Sequence, residues 1–202
     1  MSLRYLECPR GLLEPEILDD GRNLICLQSN CVARKRHYGS IHDKLYNALG
    51  FGDPYRIRGQ KECVMPRQQS NLARPADRPK LGSFLIQQDK ETPASKCGVA
   101  FLFAQYNMGN GRSLYFSDDE YVAACKEFEG RLRESRLEAF KQCLTAISSS
   151  SPTLEKFDRI LFPMGIGCFK AGGHWPDYLK AIEEFGSKVD INVYIVKATN
   201  FE

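Results

Sequence analysis

Short apolar runs that alternate with amphipathic helical patterns constrain the fold of this chain more than any other feature of its sequence. Most of these runs are continuous rather than alternating, which is expected of strands buried on both faces. Strands that alternate with helices predict a three-layer α/β domain with a largely parallel or mixed central sheet. The predicted strands are 23–28, 82–87, 97–106, 158–165 and 191–198, and the predicted helices are 40–49, 135–147 and 175–185.

The chain shows no internal repeat and no domain boundary, so we expect residues 1–202 to form a single domain. Residues 59–80, which are polar and contain three prolines, predict a long loop or lid rather than a core element. Residues 147–153 predict a surface connection that ends the long helix.

Composition excludes several classes of protein. The net charge of +3 is too small to indicate a nucleic-acid-binding protein by itself. No apolar run approaches the roughly 18 residues of a membrane span, and the N-terminus lacks a signal pattern. The eight cysteines are scattered singly and form no pair or cluster with zinc spacing. We therefore expect reduced thiols, mostly in the core, in an intracellular protein without a metal or other cofactor.

The stretch "FPMGIGCFKAGGHW" (162–175) places four glycines between an apolar strand and a helix that begins near Pro176. Ligands of α/β sheets bind at the carboxyl ends of strands, where loops lead into helix N-termini. Glycines let the backbone approach a ligand closely, and free amides beside a helix N-terminus form an anion site, typically for phosphate. The alternative is a long connection whose glycines serve only to turn the chain.

Four blocks of the sequence, in the same order, resemble a divergent subfamily of the macro domain family that carries a GIGCxxAGGxW loop. They are "LQSNCVARKRHYGSIHDKLYNALGFGDPY", "RPKLGSFLI" with "FLFAQYNMGNGR", "SRLEAFKQCLTAI" and "FPMGIGCFKAGGHWPDYLKAIEEF". The resemblance implies a mixed sheet sandwiched by helices and a ligand that is ADP-ribose or a derivative. Members of the family include readers of ADP-ribosylation, ADP-ribosyl hydrolases and ADP-ribose 1″-phosphate phosphatases.

The resemblance also implies roles for individual residues. Asn30 matches an asparagine that lies near the distal ribose, and Gly39 and Ser40 match a turn that faces the pyrophosphate. The later loop matches the segment that wraps the diphosphate and the distal ribose. Its matching residues are Gly165, Ile166, Gly167, Cys168, Gly172 and Gly173.

Three residues depart from the family pattern. Phe169 replaces a glycine and removes positive-φ freedom, so we expect it to narrow the groove or to stack on the ligand. Lys170 replaces a leucine and would add positive charge beside a phosphate. His174 replaces an acidic residue and could perform acid–base chemistry, or it could be a surface histidine near a helix start. Ala171 stands where one class of macro hydrolases carries a catalytic aspartate.

Other polar residues admit two interpretations each. Lys35 and His37 belong to the basic segment "RKRHY" (34–38), which is either a loop over a diphosphate or a solvated turn. Asp53 either holds the adenine edge or starts a turn. Gln105 ends an apolar strand and is expected to face the site. His42, by contrast, is expected to be only structural.

We therefore expect binding of ADP-ribose or a related nucleotide, alone or attached to protein or nucleic acid. One hypothesis is a hydrolase or 1″-phosphatase in which Asn30, His37 or His174 are the acid–base groups. A second is a non-catalytic reader of ADP-ribosylated partners. A third, a P-loop or Rossmann enzyme, is disfavoured because the Lys-Ser/Thr ending is missing and the glycine turn comes late in the chain.

Overall fold

Six strands form one mixed sheet in the order β1-β6-β5-β2-β4-β3. The computed structural model describes residues 3–19, 21–59, 71–89, 97–106, 132–169 and 171–200. All neighbouring strands are parallel except β3, which runs antiparallel to β4 at one edge. The strands are β1 Arg4–Cys8, β2 Asn23–Asn30, β3 Phe84–Gln88, β4 Gly98–Gln105, β5 Arg159–Pro163 and β6 Asn192–Ala198.

Helices cover both faces of this sheet. In β2 the side chains of Leu24 and Cys26 join one hydrophobic core, and those of Ile25 and Leu27 join the other, as the two-residue period of a strand requires. The first core is completed by α3 and α5, and the second by α1 and α2. The helices are α1 Pro15–Leu18, α2 Ile41–Leu49, α3 Leu132–Ser148, α4 Ser151–Leu154 and α5 Trp175–Gly186. The expected three-layer α/β fold with a mixed sheet is therefore confirmed.

The apolar-run pattern did not identify β1. Arg4, Tyr5 and Glu7 are exposed, because β1 lies at the sheet edge and pairs only with β6 among the described strands. An edge strand with exposed side chains carries no continuous apolar run. All the predicted strands and helices are present, and their ends differ from the predicted ones by up to three residues.

The described part of the 59–80 excursion packs more closely than a polar lid would. Leu72 and Ala73 are fully buried, and Leu72 forms an antiparallel bridge with Ala33. The N–H of Ala73 donates to the carbonyl of Val32 at 2.8 Å. These contacts tie the end of the excursion to the loop that follows β2. The rest of the excursion, 60–70, lies outside the described residues.

The sheet order determines where functional loops can meet. β5, β2 and β4 are adjacent and parallel, so their carboxyl ends lie at the same edge of the sheet. The loop after β2 and the glycine-rich loop after β5 therefore emerge side by side. Six described cysteines are free thiols and five of them are buried, as expected. Among the helices that the structure describes, none is long and apolar enough to cross a membrane.

Candidate functional site

A cavity of about 500 Å³ lies between these two loops at the carboxyl edge of the sheet. The loop after β2 and the start of α2 contribute one wall, and the glycine-rich loop contributes the other. Gln28 of β2 and Gln105 of β4 lie at its base, where Gln28 Nε2 donates to Gln105 Oε1 at 3.4 Å. The lining residues are Leu27, Gln28, Gly39, Ser40, Ile41, His42, Gln105, Pro163, Met164, Gly165, Ile166, Gly167, Cys168, Phe169 and Ala171.

The glycine-rich loop is supported from below by the core. Gly167 has φ of +73°, and a Cβ there would overlap the ring of Tyr178 and lie 2.5 Å from Gln28 Oε1. Tyr178 is buried and packs on Phe140 with ring centroids 4.7 Å apart. The N–H of Gly173 donates to the carbonyl of Gly167 at 2.9 Å and closes the loop. Only glycine satisfies both the left-handed backbone and the close approach at position 167.

Unpaired backbone amides concentrate at this cavity. Within the described part of the chain, no acceptor pairs with the N–H groups of Gly165, Gly167 and Phe169, because the loop's internal bonds use alternate amides. The N–H groups of Ile41 and His42 in the first turn of α2 likewise have no acceptor among the described residues. All five residues line the cavity. Unpaired amides on two loops that line one cavity, one of them at a helix N-terminus, favour an anion.

The described lining carries no lysine, arginine, aspartate or glutamate. The described lining therefore offers a charged ligand the dipoles of backbone amides rather than ionised side chains. Cys168 is partly buried and its Sγ lies 3.3 Å from the carbonyl oxygen of Ile166. Burial and the nearby Asp177 raise the pKa of the Cys168 thiol to about 11. The thiol is consequently protonated at neutral pH and is a weak nucleophile.

His42 lies in the wall of the cavity, although the sequence predicted a purely structural role. Its Nε2 lies 2.9 Å from Ser29 Oγ, and its ring stacks on Phe101 at a centroid distance of 6.0 Å. Loss of hydration lowers the pKa of His42 to about 4, with smaller effects from Asp53, which raises it, and Arg36, which lowers it. The ring is therefore neutral at physiological pH.

Arg36, in the basic segment after β2, is held by ion pairs rather than directed into the cavity. Arg36 bridges two carboxylates: its Nε lies 3.3 Å from Asp43 Oδ1, and its Nη1 contacts Asp53 Oδ2. Its guanidinium also stacks 3.8 Å from the ring centroid of Tyr46. Asp53 Oδ1 accepts the N–H of Tyr55 at 2.9 Å. In this structure, Asp53 therefore starts a turn and neutralises an arginine.

The three residues expected to perform acid–base chemistry do not line this cavity. Asn30 Oδ1 accepts the N–H of Ala33 at 2.6 Å. His37 is exposed, with its Nδ1 2.8 Å from the carbonyl oxygen of Tyr38. His174 precedes α5, pairs with Asp177 at 3.1 Å, and borders a separate cavity of about 380 Å³. No acidic cluster or His/Cys group of metal-binding geometry occurs among the described residues.

The remaining predicted ligand residues divide into two groups. Gly39, Ser40, Gln105 and the segment 165–169 come together at the cavity. Lys35 is exposed with its N–H bonded to Asn71 Oδ1 at 2.8 Å, and Gly172 and Gly173 close the loop without lining the cavity. Lys170 lies outside the described residues.

Phe169 lies at the rim of the cavity. Its side chain is 82% exposed, yet its ring covers Gly165, so that a Cβ on that glycine would lie 2.9 Å from Phe169 Cζ. Met164, also exposed, lines the same rim. The mouth of the cavity therefore carries an apolar surface that is available to a planar ligand group.

Besides His42, sequence reasoning missed two residues that shape the site. Gln28 is a polar residue within an apolar strand, which is a usable signal for a site-facing side chain. Arg136 carried no such signal: it lies buried on α3, and its Nη1 donates to the carbonyl of Ala171 in the glycine-rich loop. This contact anchors the loop to the helix behind it.

The sequence matches no protein-family model and no curated protein. Among solved structures, it is similar to a protein of unknown function from Bacteroides thetaiotaomicron, at 17% identity over 98% of both chains with a TM-score of 0.53. It is also similar to the macrodomain of Mycobacterium tuberculosis DarG, at 12% identity over 96% of this chain and 97% of that one, with a TM-score of 0.50.

A third solved structure, the macrodomain of Thermus aquaticus DarG, matches at 13% identity over 96% of each chain with a TM-score of 0.48. At these identities the similarity concerns the fold alone. The mixed six-stranded sheet with helices on both faces is the arrangement that this chain shares with the Mycobacterium tuberculosis macrodomain. The chain therefore has a macrodomain-like α/β fold.

Proposed function

We propose that the chain binds ADP-ribose or an ADP-ribose derivative in the cavity between the loop after β2 and the glycine-rich loop. The observation that carries the proposal is the set of five unpaired amides, from Ile41, His42, Gly165, Gly167 and Phe169, around a cavity without charged side chains in its described lining. Donors fixed by the backbone suit a diphosphate, whose oxygens accept several hydrogen bonds at once.

The rest of the cavity suits the uncharged parts of such a ligand. Its volume of about 500 Å³ lies within the range typical of small-molecule sites. Amide side chains at the base offer hydrogen bonds to hydroxyl groups, and the apolar rim offers a surface for a planar ring. The macrodomain-like fold and the sequence resemblance support the same ligand class.

Binding is favoured over catalysis. Asn30, His37 and His174 lie outside the described lining, and Cys168 is held as a thiol. The titratable side chains of the described lining are a protonated thiol, Cys168, and the weakly basic imidazole of His42, which suits a reader that binds ADP-ribosyl groups attached to protein or nucleic acid. The free cysteines suit a reducing compartment, so we place this activity inside the cell.

Calorimetry with ADP-ribose tests the proposal, and the chain offers a matched pair of variants. Gly39 and Gly50 have φ of +70° and +74°, and a Cβ on either would meet no atom within 4 Å. Alanine at either position therefore introduces similar backbone strain, about 1–2 kcal/mol. Of these two glycines, only Gly39 lines the cavity. We expect Gly39→Ala to weaken ADP-ribose binding and Gly50→Ala to leave it unchanged.

Absence of ADP-ribose binding by the unmodified protein at millimolar ligand would refute the proposal. Equal effects of the two alanine variants would show that the ligand lies elsewhere. Turnover assays on ADP-ribosylated protein and on ADP-ribose 1″-phosphate distinguish a reader from an enzyme. We expect binding without formation of product. Catalytic turnover that survives Cys168→Ala and His174→Ala would point to His42, the remaining titratable side chain of the described lining, as the base.

A further inference from the structure

Arg36 packs against α2 and holds two carboxylates, although it does not line the cavity. Its Nε lies 3.3 Å from Asp43 Oδ1, its Nη1 contacts Asp53 Oδ2, and its guanidinium lies 3.8 Å from the ring centroid of Tyr46. The side chains of Arg36, Asp43 and Asp53 are only 21%, 13% and 11% exposed. Salt screens such partly buried pairs less than it screens exposed ones.

Asp43 connects this ion cluster to the cavity wall. Its Oδ2 accepts the N–H of Gly39 at 3.0 Å, and its own N–H donates to Ser40 Oγ at 3.3 Å. The two bonds resemble a capping box, except that the carboxylate accepts the N–H of the residue before the N-cap. Gly39 and Ser40 both line the cavity. The position of this turn therefore depends on where the Asp43 carboxylate lies.

The bonds at the start of α2 also determine which amides of the wall remain for a ligand. The Gly39 N–H donates to the carboxylate, and the Ser40 N–H donates to the carbonyl of His37 at 3.1 Å. The next two N–H groups, those of Ile41 and His42, have no acceptor among the described residues. Two adjacent amides at a helix N-terminus suit one phosphate group of a diphosphate.

A carboxylate in this position opposes an anionic ligand unless its charge is balanced. The Asp43 carboxylate lies 3.0 Å from the nitrogen of Gly39, a lining residue, and the Debye length at 0.1 M ionic strength is about 10 Å. Asp53 adds a second negative charge to the cluster, and Arg36 pairs with both carboxylates. Without Arg36, both would lose this counterion beside a site proposed for a diphosphate.

We propose that Arg36 is a positioning residue of the binding site: it holds the Asp43 carboxylate on the Gly39 amide and balances its charge, so that the wall accepts a phosphate. This inference rests on the proposed function and names the residue that adapts the α2 wall to an anionic ligand. Arg36 acts through Asp43 rather than by contact with the ligand, because it lies outside the described lining.

Calorimetry with ADP-ribose at low ionic strength compares Arg36→Gln with a matched control, Arg22→Gln. Arg22 also pairs with an aspartate, Asp158, but these residues precede β2 and β5, at the edge of the sheet opposite the cavity. Both variants lose one positive charge. We expect Arg36→Gln to weaken binding roughly tenfold through uncompensated repulsion of the diphosphate, and Arg22→Gln to leave it unchanged. Equal affinities of the two variants would overturn the proposal.

A charge-compensated double variant separates this role from a merely structural one. Arg36→Gln with Asp43→Asn removes one charge of each sign and keeps a side-chain oxygen that can accept the Gly39 N–H. We expect it to recover most of the affinity lost in Arg36→Gln. The loss should also shrink in 1 M salt, where the Debye length is about 3 Å. A double variant that binds no better than Arg36→Gln would overturn the proposal.

Urea unfolding shows whether each variant is folded. If Arg36→Gln does not fold, Asp43→Asn alone tests the proposal, because it keeps Arg36 and removes a negative charge beside the site. We expect this variant to bind ADP-ribose at least as tightly as the unmodified protein. Weaker binding would contradict the assigned role of the charge.

The Gly39 amide reports the arrangement without any ligand. Its bond lowers the pKa of the Asp43 carboxyl, loss of hydration acts in the opposite direction, and Arg36 and His37 lower that pKa further. In nuclear magnetic resonance, we expect the Gly39 amide proton to titrate with Asp43, and at a higher pH in Arg36→Gln. An unchanged midpoint would show that Arg36 does not hold this carboxylate.

The two sets of measurements distinguish the possible failures. If the unmodified protein does not bind ADP-ribose, the proposed function fails, while the titration of the Gly39 amide still decides whether Arg36 holds Asp43. If the unmodified protein binds and Arg36→Gln binds equally well, the proposed function stands and the role of Arg36 is refuted.

Discussion

Replacement of Gly167 by alanine should destabilise the protein for two separable reasons. The φ of +73° at this position costs a residue with a Cβ about 1–2 kcal/mol. The new methyl group would also overlap the Tyr178 ring and lie 2.5 Å from Gln28 Oε1, and overpacking of this kind costs about 1–3 kcal/mol. We therefore expect Gly167→Ala to lower the free energy of unfolding by about 2–5 kcal/mol.

Gly50→Ala isolates the cost of the positive φ, because Gly50 has nearly the same φ as Gly167 and an added Cβ there would meet no atom within 4 Å. Urea unfolding monitored by fluorescence of the single tryptophan, Trp175, measures both variants. The difference between them should be about 1–3 kcal/mol, which is the cost of overlap with Tyr178 and Gln28. Equal destabilisation of the two variants would refute the account of how the core supports the loop.

Three further predictions concern the cavity wall and rim. Since the pKa of His42 is about 4 in the folded state and about 6.5 when unfolded, the unfolded chain binds more protons between these values. Stability should therefore fall as pH drops from 7 to 5, by up to about 2 kcal/mol, and urea unfolding of His42→Phe should show a flatter profile. Burial raises the pKa of the Cys168 thiol to about 11. Its alkylation by iodoacetamide at pH 8, followed by mass spectrometry, should therefore be about 100-fold slower than that of a thiol with the ordinary pKa. Alkylation at the ordinary rate would contradict the described burial. Phe169→Ala should change stability by less than about 0.5 kcal/mol, because the side chain is 82% exposed, but should weaken ADP-ribose binding in calorimetry; unchanged affinity would exclude ring contact with the ligand.

The layered fold could be predicted from sequence because burial imposes a pattern on each element. The runs around Leu24–Leu27 and Phe101 are continuous because both faces of those strands are covered. β1 escaped detection because an exposed edge strand imposes no such pattern. Leu72 and Ala73 escaped detection because two buried residues in a polar, proline-rich segment are too short a signal for any periodicity.

The candidate site was predictable mainly where the backbone forms it, with the side chain of Gln105 as an exception. The left-handed glycines and the helix start at Ser40 are properties of local sequence, and these residues meet at the cavity. Side-chain roles depend on partners distant in the chain, which sequence spacing does not reveal. Asp53 starts a turn and pairs with Arg36, which is one of the two roles that the sequence left open, and the side-chain oxygen of Asn30 is used by its own turn. His42 was assigned to structure because its partner Ser29 lies on another element.

A crystal structure of the protein grown with ADP-ribose tests the central proposal most directly. We predict that the diphosphate lies in the cavity between the loop after β2 and the glycine-rich loop. Its oxygens should lie within hydrogen-bonding distance of amides from Gly165, Gly167 or Phe169 and from Ile41 or His42. A ligand bound elsewhere on the protein, or a cavity that stays empty at saturating ADP-ribose, would contradict the account.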